Sequence, residues 1–286
     1  MSDRFSRQIP FLTQDGHDKI SSIKLAIVGA GGLGSHVFQQ LSYLGARNLT
    51  PIDHDRADAS SLNRMVTATA ADIGEYKVDI LKRFALSLDP STSINVIRRD
   101  VRSPEGMAAL AAADRIIGCV DDDGIRYFLT LFAAAYRKPY LDLATELGEG
   151  QRSFGGRVFY MIPGTGCLLC HGLLDGAEVA RAYEGDGDRQ FRKSVYGQPV
   201  EALLGSGPSV VSINGMIASL GVTELMCEIA NIKAVDGTAH RSYLGTFGTV
   251  VRPAYGPRQD CRICVKVLGR PEEARLEALI VEPQRA

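Results

Sequence analysis

Through the first half of the chain, short apolar runs alternate with stretches whose apolar residues recur at helical spacing. Lys24-Leu25-Ala26-Ile27-Val28 reads as a buried strand, followed by a helix over Ser35 to Leu44. Leu49-Thr50-Pro51-Ile52 is a second apolar run. Val78, Leu81, Ala85 and Leu88 then form the buried stripe of a helix from about Gly74 to Leu88, which Asp89-Pro90 stops. Strands over Ile94 to Ile97, Arg115 to Val120 and Tyr140 to Ala144 alternate with helices over Pro104 to Ala112 and Ile125 to Tyr136. This alternation predicts an α/β fold, a Rossmann-like doubly wound and mostly parallel sheet. Residues 1–22 read as a lead-in arm with a helix over Gln14 to Ser21.

The rhythm changes after residue 150. Gly156 to Ile162 and Ser242 to Val251 read as antiparallel strands. Val210 to Ile229 reads as an apolar helix, interrupted by Asn214, Ser219 and Glu224. Between them, residues 175–208 are rich in Gly, Asp and Arg, a crossover of a length that is usually functional or disordered. With no repeat and no long linker, residues 1–286 are expected to form one domain. It has an arm (1–22), a first half that carries the strand–helix alternation (23–150) and a second half (151–286).

The chain has 286 residues, 45% hydrophobic and 23% charged, with a formal net charge of −1. No overall basic field exists to collect nucleic-acid phosphates. No apolar run reaches the roughly 18 residues of a membrane helix, and Met1-Ser2-Asp3-Arg4 lacks the order of a signal peptide. The expectation is a cytoplasmic protein that binds neither nucleic acid nor membrane.

Six cysteines refine the picture. Cys167-Leu-Leu-Cys170 and Cys261-Arg-Ile-Cys264 are two C-x-x-C pairs, which together supply the four thiolates of a closed structural zinc site. His171 follows directly but is not needed, since four thiolates fill a tetrahedron. Cys119 and Cys227 lie in apolar surroundings and read as core.

The chemistry concentrates where strands end. Gly29, Gly31 and Gly34 give G-x-G-x-x-G at a strand-to-helix turn, with Gly32 between them. Those glycines suit a tight turn, close approach of backbone to phosphate, and packing of helix on sheet. Asp53, at the end of the second strand, is placed to accept hydrogen bonds from a ribose. Arg64 and Lys77 follow as cations suited to a triphosphate. Asp121, beside Asp122 after a further strand, suits Mg²⁺. Taken alone, the glycine loop also allows a nicotinamide-dependent oxidoreductase.

The ordered set resembles the ThiF/MoeB/HesA superfamily of adenylating enzymes, which includes the ubiquitin-activating enzymes. The resemblance rests on Arg4-Phe-Ser-Arg7-Gln8, Gly29-Ala-Gly-Gly-Leu-Gly34, Asp53-His-Asp55, Ser60-Ser61-Leu62-Asn63-Arg64, Gly74-Glu-Tyr-Lys77, Cys119-Val-Asp121-Asp122 and the paired C-x-x-C motifs, in the family's order. It implies ATP·Mg²⁺-dependent adenylation of the C-terminal glycine of a small ubiquitin-like or sulfur-carrier protein. It places Gly29, Gly31, Gly32, Gly34, Asp53, Asp55, Asn63, Arg64, Lys77, Asp121 and Asp122 at the nucleotide and Asp121 on magnesium. Arg7 would reach the site of a neighbouring subunit in a homodimer. Two departures stand out. Ser61 replaces a frequent Asn, and residues 171–226 contain no cysteine to act as an internal thiol nucleophile. The adenylate is therefore expected to pass to an external nucleophile, a sulfur donor or a conjugating enzyme. An inactive nucleotide-binding scaffold subunit of an activating-enzyme pair is the alternative within the family.

Overall fold

The computed structural model describes residues 4–148, 153–183, 207–232, 239–253 and 258–279. In chain order the strands are β1 (Lys24–Val28), β2 (Asn48–Ile52), β3 (Ser93–Ile94), β4 (Arg115–Gly118), β5 (Tyr140–Leu147), β6 (Phe154–Met161), β7 (Ala239–Leu244) and β8 (Thr249–Val251). The helices are α1 (Ile9–Ser22), α2 (Gly32–Leu44), α3 (Lys77–Leu88), α4 (Pro104–Ala112), α5 (Asp123–Ala135), α6 (Gly176–Ala182), α7 (Val211–Ile229) and α8 (Pro271–Ala274). The strands form one sheet in the order β3-β2-β1-β4-β5-β6-β7-β8. The first five pair in parallel and the last three antiparallel.

Successive strand residues point to opposite faces, and β1 is buried on both. Leu25 and Ile27 join a core shared with α2, α3 and α7, while Ala26 and Val28 join one shared with α4, α5 and the cysteine segment. That two-sided burial is why the strand reads as an unbroken apolar run. Order reverses between β1 and β4, so the carboxyl ends of these strands open a crevice, the usual ligand position in open α/β sheets.

Local departures have local causes. The helix expected from Gly74 begins at Lys77, because Gly74 has φ of +93° and its N–H is tied to the Ala57 carbonyl at 2.8 Å. β5 runs on to Leu147, stabilised by an eight-residue antiparallel ladder to β6. The stretch expected as strand from Ser242 to Val251 is folded back on itself at Gly248 (φ +61°) to make β7 and β8. In the arm, Thr13 with φ 62° breaks α1, so the expected helix from Gln14 follows a separate first turn. Of the crossover, α6 and residues 207–208 are described and 184–206 lie outside the described residues. Among the described residues no helix is long and apolar enough to cross a membrane.

Candidate functional site

The glycine loop closes the crevice floor. Gly29 has φ of +91°, and a Cβ there would meet the Cys119 carbonyl oxygen. A Cβ on Gly34 would overlap the Gly29 carbonyl oxygen, so this glycine sets how closely α2 sits on β1. α2 starts at Gly32 with no side-chain cap, leaving its first amides available to an anion.

Asp53 leaves β2 at the same level. Its Oδ2 accepts from the Ala30 amide at 2.7 Å and its Oδ1 from the Asp55 amide at 2.8 Å. Burial raises the Asp53 pKa, opposed by the Lys77 charge and the two amides. Lys77, at the first position of α3, points back to Asp55 with Nζ to Oδ2 2.8 Å. The loop between them forms a short 3-10 helix over Ala59–Asn63, capped by Asp58, which accepts from the Ser61 amide at 2.9 Å. Ser61 is buried within this cap, its hydroxyl donating to the same carboxylate. Arg64 follows and donates to the Ser60 carbonyl and to Asn63 Oδ1.

These residues enclose a cavity of about 540 Å³, lined by Gly29, Gly31, Gly32, Asp53, Asp55, Ser61, Arg64, Lys77 and Asp121 among others. Eight of the sequence-predicted positions therefore share one space. Four do not reach it. Gly34 packs the helix, and Asn63 is exposed and bonds only Arg64 among the partners seen. Asp122 caps α5 by accepting from the Ile125 amide at 2.7 Å. Arg7 is exposed on the arm, away from the cavity of its own chain.

Asp53, His54 and Asp55 bring one ligand atom each within 4.8 Å of one another, so a cation could sit between them. Asp121 belongs to no such group among the described residues, although it lines the same cavity. Both positions offer the hard oxygens that Mg²⁺ takes alongside substrate phosphates.

The cavity also has a second wall. Gly207, Pro208, Ser209 and Asn214, at the start of α7, line it opposite the glycine loop. Arg99 lines it from the loop after β3, and Thr145 and Leu147 from the end of β5. Asn214 was visible only as a polar interruption in an apolar helix.

Behind the cavity lies a second set of charges. Asp142 on β5 is wholly buried. It accepts from the Tyr140 hydroxyl at 2.9 Å and lies 3.4 Å from Arg126 Nε and 3.6 Å from Arg157 Nε. Arg126 also pairs with Asp123 at 2.7 Å. Burial acts to lower the Arg126 pKa, but Asp142 and Asp123 more than reverse it, so the guanidinium stays charged. Arg126 reaches the cavity edge and donates to the Val120 carbonyl, holding the turn that carries Asp121. Asp123 Oδ2 accepts from the Asp175 amide, and the Tyr183 hydroxyl donates to the Gly124 carbonyl, which fastens α6 to α5.

On the opposite side of the sheet from α7, the two C-x-x-C pairs meet. Cys167 and Cys261 are 3.6 Å apart between Sγ atoms, Cys170 and Cys264 3.9 Å, and all four thiols lie within 4.8 Å. Four sulfurs around zinc at about 2.3 Å stand about 3.8 Å from one another, so the donor set and spacing fit that ion. The cluster could hold a metal. His171 lies outside it, its ring against Phe159 at 4.9 Å. Cys119 and Cys227 are buried, as expected.

Fold and site together define an α/β protein with a charged cavity at the carboxyl ends of its parallel strands. The chain belongs to the ThiF family, whose model matches residues 5–261. It is 28% identical over 183 residues to the molybdopterin-synthase adenylyltransferase of Escherichia coli, covering 63% of this chain and 72% of that protein. It is 32% identical over 150 residues to the adenylyltransferase and sulfurtransferase uba4 of Aspergillus terreus, covering 52% of this chain but 31% of that protein. The chain thus spans less than a third of uba4's length. Among solved structures, E. coli MccB with MccA-N7isoASN has a TM-score of 0.72 at 18% identity, covering 92% of this chain and 75% of that one, a likeness of fold.

Proposed function

We propose that this chain is an adenylyltransferase that uses ATP·Mg²⁺ to activate the C-terminal glycine of a small ubiquitin-like or sulfur-carrier protein. The observation that carries the reading is the convergence of glycine loop, Asp53, Arg64, Lys77 and Asp121 on one cavity. Relatives named as adenylyltransferases of molybdopterin synthase and of a sulfur carrier protein support it.

The chemistry needs little beyond this set. A terminal carboxylate is already ionised at neutral pH, so no general base is required. One of its oxygens bonds to the α-phosphorus as the bond to the bridging oxygen breaks, releasing pyrophosphate and leaving an acyl-adenylate. The barrier is charge and alignment. Asp53 holds the ribose; Arg64 and Lys77 neutralise phosphate oxygens, Lys77 exchanging Asp55 for the nucleotide. Magnesium supplies further charge neutralisation when bound, with Asp121, Asp53 and Asp55 as the available oxygens. Arg7 is supplied from a second copy in a homodimer, and zinc on the four cysteines is structural. With no cysteine in 171–226 and Cys227 buried, the adenylate passes to an external nucleophile, and the setting is cytoplasmic.

The test is ATP–pyrophosphate exchange by the full chain with small proteins ending in glycine, and with their C-terminal amides. Exchange is expected only with a free carboxylate. Binding of a nicotinamide dinucleotide without ATP binding would overturn the reading.

A further inference from the structure

Asn214 is 1% exposed in a helix that is otherwise mainly apolar. Its Nδ2 donates to Ser209 Oγ at 3.0 Å. A Cβ on Gly32 would collide with that same nitrogen, and the Arg64 stem comes next at 3.1 Å. Gly32 therefore leaves room for a side chain arriving from the other wall. The amide sits between the first turn of α2 and Arg64, and all three line the cavity. Two helices begin here without side-chain caps, α2 after Gly31 and α7 after Val210. Ser209 takes one hydrogen of that amide, and an apolar residue would suit the helix better.

Resting on the adenylation reading, we propose that Asn214, with Ser209 and the first turn of α7, forms the subsite that holds the incoming carboxylate beside the α-phosphate. Phosphate is drawn to the Gly31–Gly32 end by the opening amides of α2 and by Arg64. The second anion must approach from the facing wall, where Asn214 is the polar side chain in contact with Gly32. An amide nitrogen carries two hydrogens and Ser209 takes one. The donor is neutral, so it orients a carboxylate without competing for the triphosphate as a lysine would. In the reaction one carboxylate oxygen bonds to phosphorus while Asn214 donates to the other, which becomes the acyl carbonyl. No proton moves, and pyrophosphate leaves with the bond electrons.

The experiment measures binding of 5′-O-(N-glycylsulfamoyl)adenosine, a stable acyl-adenylate mimic, and of AMP to the full chain by calorimetry. Asn214→Ala is expected to weaken the glycyl compound roughly tenfold and AMP less than about twofold. Asn214→Asp keeps the shape but turns the donor into an acceptor, and should weaken the glycyl compound further. This variant carries the test if Asn214→Ala fails to fold, with retained AMP affinity reporting an intact site. Equal losses for both ligands would assign Asn214 to phosphate or to packing, and unchanged affinities would leave it no role; either overturns the proposal. If the wild type binds AMP but not the glycyl compound, the carboxylate subsite fails alone. If it binds no adenosine ligand, the adenylation reading fails with it.

Discussion

Two groups of charges lie a few residues apart at one end of the sheet, and the protein treats them in opposite ways. Around the cavity, Asp55, Arg64 and Asp121 stay near water with few partners, Asp55 about half exposed, and Lys77, itself mostly covered, pairs with that half-exposed carboxylate. Behind it, Asp142, Arg126, Asp123 and Arg157 are taken out of water and matched carboxylate to guanidinium. Arg126 is the one that touches both. The difference separates two uses of charge: groups that line the cavity keep exchangeable partners, whereas groups that hold shape are tied to several at once.

Breaking the buried group should give the largest effect on the folded state. Asp142→Ala removes the carboxylate that Arg126 and Arg157 share and leaves the Tyr140 hydroxyl without its acceptor, and a loss of about 3–5 kcal/mol is expected in denaturant melts. A change below about 1 kcal/mol would show that the network contributes no more than the exposed pairs. The four thiols are a third kind of ionisable set, one that we propose holds zinc. Cys261→Ser is expected to remove one tightly bound zinc per chain by elemental analysis and to lower the melting temperature. Retention of stoichiometric zinc would exclude the four-thiol site.

Lys77→Ala inverts the pattern. Pairs with one exposed partner, such as Lys77–Asp55, contribute about 0–1 kcal/mol, so melting should barely move, while pyrophosphate exchange falls by roughly a hundredfold or more. Wild-type exchange in this variant would remove Lys77 from the reaction. The smallest effect concerns His17, which lies against Phe5 at 4.3 Å between rings. Burial lowers its pKa below the ordinary 6.5, so the unfolded chain takes up the proton more readily than the folded one. Stability should therefore decline as pH drops below about 6.5 and continue to decline toward the lowered value. The drop in melting temperature between pH 7.5 and 5.5 should shrink in His17→Gln.

The glycine-loop wall of the cavity was legible because its signals are local. Gly29, Gly31 and Gly34 do their work within one turn, and Asp53 ends the neighbouring strand, so linear spacing already encodes their meeting. The cysteines were legible for a different reason: paired spacing marks thiols that can meet in one cluster however far apart the pairs lie. Asn214 and Asp142 were not. Each looks like a polar residue misplaced in an apolar element, and its meaning depends on what other elements bring to it. For Asn214 this is Gly32 on α2; for Asp142 it is Arg126 on α5 and Arg157 on β6. For Asn63 and Asp122 motif position and local geometry give different information: the motif associates them with a nucleotide, and the fold shows one bonding Arg64 and the other capping a helix.

Asp53 has a consequence for motion. A carboxylate offers about four lone-pair positions, and the amides of Ala30 and Asp55 use two. The side chain is thus a latch on the loop's breathing as well as an acceptor. When the loop opens, the latch and the acceptor are lost in the same event. A ligand resting on the remaining lone pairs can be bound only while the latch is shut. Hydrogen exchange at Ala30 and Asp55 would slow together when nucleotide occupies the cavity, and both would quicken in Asp53→Ala.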